Sequence, residues 1–296
     1  KRLFWACFLA LASASFAFVF RVIELPAVIE GLGLDKKSFG QIFGASLWPV
    51  AITMILFSLW VDKLGYKISI FIAFALQLAS IPLTMFATSE TTLYIASVVS
   101  GLGWGVVEAV INPVTASIYK HQKAKMLNIL HAAWPAGMVV GGLLILGTPG
   151  WGWKAHIGFM LLPVLAYGGL FLVSRFPADE RVQANVPYTE MLKEFGGMGA
   201  FLASTFLTYE IVRLVAGETP DLLYISLGVG AVTGLLFGGA LKSAGKPLFF
   251  FLCVLMVPLA TTELGTDAWI KDLMQPVLTE GWNLDAGWAI VFSALI

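Results

Sequence analysis

The chain has 296 residues, is 58% hydrophobic and 12% charged, and carries a formal net charge of +0. Soluble domains run near a quarter charged, so this composition, with a mean hydropathy of +0.86, argues against a soluble enzyme. With no net positive field and no basic–aromatic stripe, nucleic acid is not an expected partner.

Apolar runs of about 18 to 25 residues, the length that crosses a hydrocarbon core of about 30 Å, recur along the chain. They are Leu3–Val22, Phe39–Val61, Ile68–Ala87, Leu93–Tyr119, Leu127–Gly147, His156–Phe176, Met198–Ala216, Leu222–Leu241 and Pro247–Leu264. A further run opens near Ala286 and is still apolar at Ile296. A backbone in lipid must satisfy its own hydrogen bonds, and helices do so segment by segment. The expected fold class is an all-α polytopic membrane protein, with the lipid bilayer as its surroundings.

The first run follows Lys1-Arg2 and contains "ALASAS", which resembles a secretory signal. It continues through "FAFVF" to Val22, longer than a signal core, and is read as a true first helix. A first residue other than Met, and a last residue inside an apolar run, suggest a piece of a longer protein.

Six runs come in quick succession over 1–176. A polar stretch over 177–197 then reads as a cytoplasmic linker. Two more spans occupy 198–245, and 246–296 opens a second, incomplete bundle. The loops expected on one side hold Lys1, Arg2, Lys63, Lys67, Lys120, Lys123, Lys125, Arg175 and Arg181 among others. The opposite side holds only Arg21, Lys36, Lys37, Lys154, Arg213 and Lys271. By the positive-inside rule the N-terminus is cytoplasmic, and a bacterial inner membrane is the expected location.

An internal echo bears on the count. "ELPAVIEGLGLD" (Glu24–Asp35) and "ELGTDAWIKDLMQPVLTEGWNLD" (Glu263–Asp285) both start with Glu-Leu and end in Gly-x-x-Leu-Asp before the next run. On this match the ninth span begins a second repeat, and spans seven and eight are an inserted pair. A rival count pairs "GGALKSAGK" (Gly238–Lys246) with "SLWVDKLGYK" (Ser58–Lys67) and starts the second half at span seven.

"SLWVDKLGYK" joins spans two and three. In it Asp62, Lys63, Gly65 and Lys67 resemble the major facilitator superfamily loop Gly-x-x-x-Asp-(Arg/Lys)-x-Gly-(Arg/Lys)-(Arg/Lys), with Ser58 in place of the first Gly and Tyr66 in place of one basic residue. The resemblance implies a loop that biases the inward- and outward-facing states.

The fourth run carries "GLGWGVVEAVINP" (Gly101–Pro113). Gly101, Trp104, Glu108, Asn112 and Thr115 share a helical face by i, i+3/i+4 spacing, and Gly101, Gly103 and Gly105 permit close backbone approach. An ionisable residue at this depth is costly and marks a candidate functional site. The Gly-rich run followed by Glu108, Asn112 and Pro113, and the fifth run opening "LNILHAAWPAG" with Asn128, are similar to the fucose–proton symporter branch of that superfamily. That resemblance implies a major facilitator-type six-helix bundle, a sugar substrate, a coupling proton or cation, and a role in both for Glu108. The branch's first-helix Asp, four residues before a Pro, falls here on Val22. Arg21 and Glu24 flank it, and Arg21 could neutralise Glu24, Glu108 through water, or an acidic substrate.

His131, one turn after Asn128, is a candidate relay or hydrogen-bond partner. Gln77 in span three is a candidate for function or for packing. Trp104 and Trp134 are candidate stacking platforms. Gly137-x-x-x-Gly141-Gly142 reads as a close helix contact across a moving interface, and Glu210 and Arg213 as a local pair. His121 and His156 fall at loop edges. No His-Glu-x-x-His, paired intramembrane Asp or Walker loop occurs, so neither an intramembrane enzyme nor an ATP-driven pump is expected, and no cofactor or metal is called for. The expected activity is secondary active transport of a small polar solute by alternating access, with symport of a proton. The alternatives are an organic-anion or drug porter and a non-transporting sensor.

Overall fold

In the computed structural model, which describes residues 1–178, 181 and 184–296, every apolar run is helical, and no strand forms among the described residues. The helices are α1 (Arg2–Gly31), α2 (Lys36–Leu64), α3 (Tyr66–Met85), α4 (Glu90–Ile118), α5 (Lys123–His131), α6 (Ala133–Gly147), α7 (Trp153–Gly158) and α8 (Leu161–Leu172). There follow α9 (Tyr188–Ala216), α10 (Leu222–Leu241), α11 (Pro247–Gln275) and α12 (Trp288–Leu295). Among the described residues, 9 segments are long and apolar enough to cross a membrane, with α5–α6 and α7–α8 each counted as one.

Proline explains the two broken spans. Pro135 has no N–H for the carbonyl of His131, where α5 ends, and Pro163 has none for Phe159, in the gap between α7 and α8. The linker expected over 177–197 is helical from Tyr188 onward. Its residues Asp179, Glu180, Val182 and Gln183 lie outside the described residues.

The chain divides into two compact units, Lys1–Asp179 with Glu263–Ile296, and Glu180–Thr262. In the first, α4 packs between α2 and α3, while α1 packs on α6 and α8. Lipid offers no hydrophobic drive to join helices, so close contact through small residues has to do it. A Cβ on Gly101 would lie 2.5 Å from the Ser46 carbonyl oxygen, and one on Gly105 would lie 2.7 Å from that of Val50, both on α2. Gly103 opens the opposite way and seats Gln77 of α3. Gly137 and Gly141 meet Ala12, Ser15 and Phe16 of α1. Gly142 meets Val291 of α12.

The ninth span runs well past Leu264, through α11 and a π-helical turn over Pro276–Gly281. This corrects the register of the echo. Pro26 and Pro276, Glu30 and Glu280, Gly31 and Gly281, Leu34 and Leu284, and Asp35 and Asp285 are each 250 residues apart, whereas the two Glu-Leu pairs are not. The turns share geometry as well as letters. Gly33 and Asn283 both take positive φ, at 70° and 55°. Asp35 Oδ1 accepts from the Ser38 N–H at 2.8 Å, and Asp285 Oδ1 from the Gly287 N–H at 2.7 Å.

In the second unit α9 and α10 form a hairpin joined at Gly197, Gly234 and Gly238, whose backbones touch. Gly196, at φ 59°, kinks α9.

Candidate functional site

Several buried hydroxyls in the first unit are satisfied within their own helix. Ser15, Ser46, Ser80 and Thr84 each donate to a carbonyl three or four residues back, the usual fate of Ser and Thr in lipid-facing helices. Polar side chains that reach another helix are therefore the informative ones; besides Trp48–Tyr94, Lys271–Ile23 and Ser293–Asp267, three groups among the described residues involve positions singled out in the sequence.

The first is built on α4. Trp104 Nε1 donates to Glu108 Oε1 at 3.3 Å, and Asn112 Nδ2 donates to Glu108 Oε2 at 3.3 Å and to the Glu108 carbonyl at 3.2 Å. Both donors lie one turn from Glu108, which is why the i, i+4 spacing works. Asn112 Oδ1 then accepts from His131 Nε2 of α5 at 2.9 Å. Glu108 and Asn112 are half-buried, while His131 is exposed, so the line runs from the interior to an open face. The break after His131, set by Pro135, lets that side chain leave the α6 packing surface.

The other predicted residues fall elsewhere. Thr115 is fully buried rather than at the open face. Asn128 is exposed one turn before His131, and among the described residues no side-chain hydrogen bond ties it to Asn112 or Glu108. Trp134 stacks on Trp104, with centroids 4.9 Å apart and planes at 22°, and touches Phe18 on α1. It is therefore a support for Trp104 and not a second open platform.

The second group is Glu24 and His156, which the sequence reading kept apart. His156, in the first turn of α7 beside the Thr148–Gly152 loop, is 1% exposed, and its Nδ1 lies 2.5 Å from Glu24 Oε1. Its Nε2 lies 3.0 Å from the Thr148 carbonyl and 3.1 Å from the Thr148 hydroxyl. Glu24 thus takes its partner from α7, and Arg21 does not neutralise it. The distance in sequence, 132 residues, hid the pair.

The third is Gln77, whose Oε1 accepts from Tyr167 of α8 at 2.9 Å. It lies away from Glu108 and lines a small cavity together with Arg21 and Trp104. Arg21 makes one hydrogen bond, to the Ala17 carbonyl at 2.8 Å. The larger groove of about 530 Å³ in the second unit is lined by glycines and apolar side chains, with Lys242 and Ser243 as its polar members, and gathers no comparable polar set.

At the α2–α3 turn, Gly65 takes φ 77°, and its N–H bonds to the Val61 carbonyl at 2.7 Å. A side chain would strain this conformation, which accounts for the glycine. Asp62 is half-buried beside it, and Lys63 and Lys67 are exposed.

Residues 4–260 match the family model of the Major Facilitator Superfamily. The chain belongs to that superfamily. Its members are transporters rather than enzymes, so the chain is an integral, multi-pass secondary transporter for a small-molecule substrate, as its helices require. No curated protein matches the chain.

Proposed function

We propose that this transporter is a sugar–proton symporter working by alternating access, with Glu108 as the coupling acid. The observation that carries the reading is the line Trp104–Glu108–Asn112–His131, which joins a membrane-embedded carboxyl to an exposed imidazole across two helices. Ionised, Glu108 accepts from both Trp104 and Asn112. Sugar hydroxyls that compete for Asn112 and His131 change what the carboxyl can accept, and so link solute to proton. Trp104 offers an indole face for the ring, held from behind by Trp134, and Asn128 extends the polar face by a turn. The loop Asp62, Lys63, Gly65 and Lys67 serves as the conformational gate.

The matched turns at 31–35 and 281–285 favour the reading of α11 as the first helix of a second repeat, with α9 and α10 as an inserted pair. The distribution of lysine and arginine supports a cytoplasmic N-terminus and a plasma-membrane location, the inner membrane if the host is bacterial. An organic-anion porter built on Arg21 is less favoured, because the space beside Arg21 is close to the size of one water.

The test uses the complete protein in proteoliposomes with a panel of labelled hexoses, wild type against Glu108→Gln. Loss of pH-driven accumulation with retained gradient-free counterflow supports the coupling role. Unchanged accumulation removes Glu108 from the mechanism.

A further inference from the structure

Arg21 is 7% exposed, in the body of α1. Arginine stays charged under any ordinary condition, and a buried charge needs a counter-charge rather than dipoles alone. Among the described residues no carboxylate pairs with it: Glu24 is held by His156, and the guanidinium's hydrogen bond goes to the Ala17 carbonyl. A guanidinium has five N–H donors, so most of its donor capacity is directed elsewhere.

That capacity faces a cavity of about 10 Å³, lined by Ser13, Arg21, Ser46, Gln77, Ser100 and Trp104. Two of these side chains are buried and carry polar atoms without a protein partner. They are Gln77 Nε2, with Gln77 3% exposed, and Ser13 Oγ, with Ser13 0% exposed. The orientation of Gln77 is fixed, since Tyr167 donates to its Oε1 and so turns the amide N–H groups toward the cavity side. Ser13, Ala17 and Arg21 follow at i, i+4 and i+8 on one face of α1. Two helices, α1 and α3, thus bring donors from Arg21, Ser13 and Gln77 to one cavity, and no acidic side chain lines it.

We infer that this cavity is a binding site for a single monatomic anion of the halide class, which neutralises Arg21 and ties α1 to α3. The size of the space, near the minimum that holds one water, decides for a monatomic ion over the carboxylate of an organic solute. The cavity shares Trp104 with the Glu108 line, whereas Glu108, Asn112 and His131 do not line it, and the inference does not depend on the substrate assigned there.

The experiment is thermal unfolding of the purified full chain, at constant sodium and ionic strength. The probes are chloride, bromide and iodide, against gluconate and acetate. Chloride is expected to raise the unfolding temperature saturably, with bromide weaker and iodide, too large for a space near the size of one water, without effect. Gln77→Leu should weaken the halide midpoint about tenfold, as loss of a bond to a charge does. Arg21→Gln should abolish the response, and because it could impair folding, Gln77→Glu provides a second arm. This variant places a fixed carboxylate in the cavity, and should match the halide-bound wild type in gluconate while losing its response to halide. Three results would overturn the site: no difference between chloride and gluconate, acetate acting as well as chloride, or a halide response that survives Arg21→Gln.

Discussion

The bundle of α1–α8 and the hairpin of α9 and α10 are both apolar and glycine-rich, yet they bury very different shares of their helices. In the apolar window of α1, 78% of residues are buried, against 17% in α9 and 22% in α10. Glycines seat side chains in both regions, as Gly103 does for Gln77 and Gly230 for Thr205, and bring backbone onto backbone in both, at Gly105 and Val50 as at Gly197 and Gly234. Cross-helix polar pairs concentrate in the bundle. The hairpin's buried carboxylate, Glu210, pairs with Arg213 on its own helix at 2.6 Å. Depth alone therefore does not distinguish the two carboxylates: what separates Glu108 from Glu210 is a line of partners leading to another helix.

The sharpest way to break this comparison is at the pair that stitches the bundle together. His156→Ala leaves Glu24 without its partner and should cost about 3 kcal/mol, the scale for one member of a buried pair. Glu24→Gln in the same chain should return much of that loss, as read by thermal unfolding of single and double variants.

Glycine packing comes next. In Gly137→Ala the new Cβ meets Ser15 Oγ at 2.0 Å and the Ala12 carbonyl oxygen at 2.5 Å, so α1 and α6 must separate, at about 1–3 kcal/mol. Gly228→Ala on α10 has nothing within 4 Å and should be neutral, or stabilising by roughly 0.5–1 kcal/mol. Equal effects at the two sites would show that the space around a glycine does not set its cost.

Glu210→Gln should change stability by under about 1 kcal/mol, because Arg213 is 38% exposed and can turn to water. Transport by this variant should match wild type, whereas His131→Ala should fold normally and transport poorly. An unaffected His131→Ala in the hexose assay would cut the line at its exposed end.

The smallest effect is at the turn between α1 and α2. The Ser38 N–H and hydroxyl hold the Asp35 carboxyl below its ordinary range. A depressed pKa in the folded state adds stability above the unfolded value, near 4, that is lost as pH falls through the folded value. Asp35→Ala should therefore lower the unfolding temperature slightly at neutral pH, and the difference should vanish in acid.

Helix number, the polytopic class and the face that carries Trp104, Glu108 and Asn112 were legible in the sequence. They follow from local periodicities, about 20 apolar residues per span and i, i+4 along a helix. The Glu210–Arg213 pair was legible for the same reason. Other features needed the tertiary structure because they join residues far apart in the chain. His156 reaches Glu24 across 132 residues, and Tyr167 orients Gln77 across 90. Trp134 turns out to brace Trp104, and the echo changes register once α11 is seen to continue to its own turn. Apolar pattern tells a helix that it must be buried or bathed in lipid, but not which neighbour covers which face. That choice is made by shape, through gaps at glycines such as Gly103 and Gly137, and it decides which buried polar groups meet.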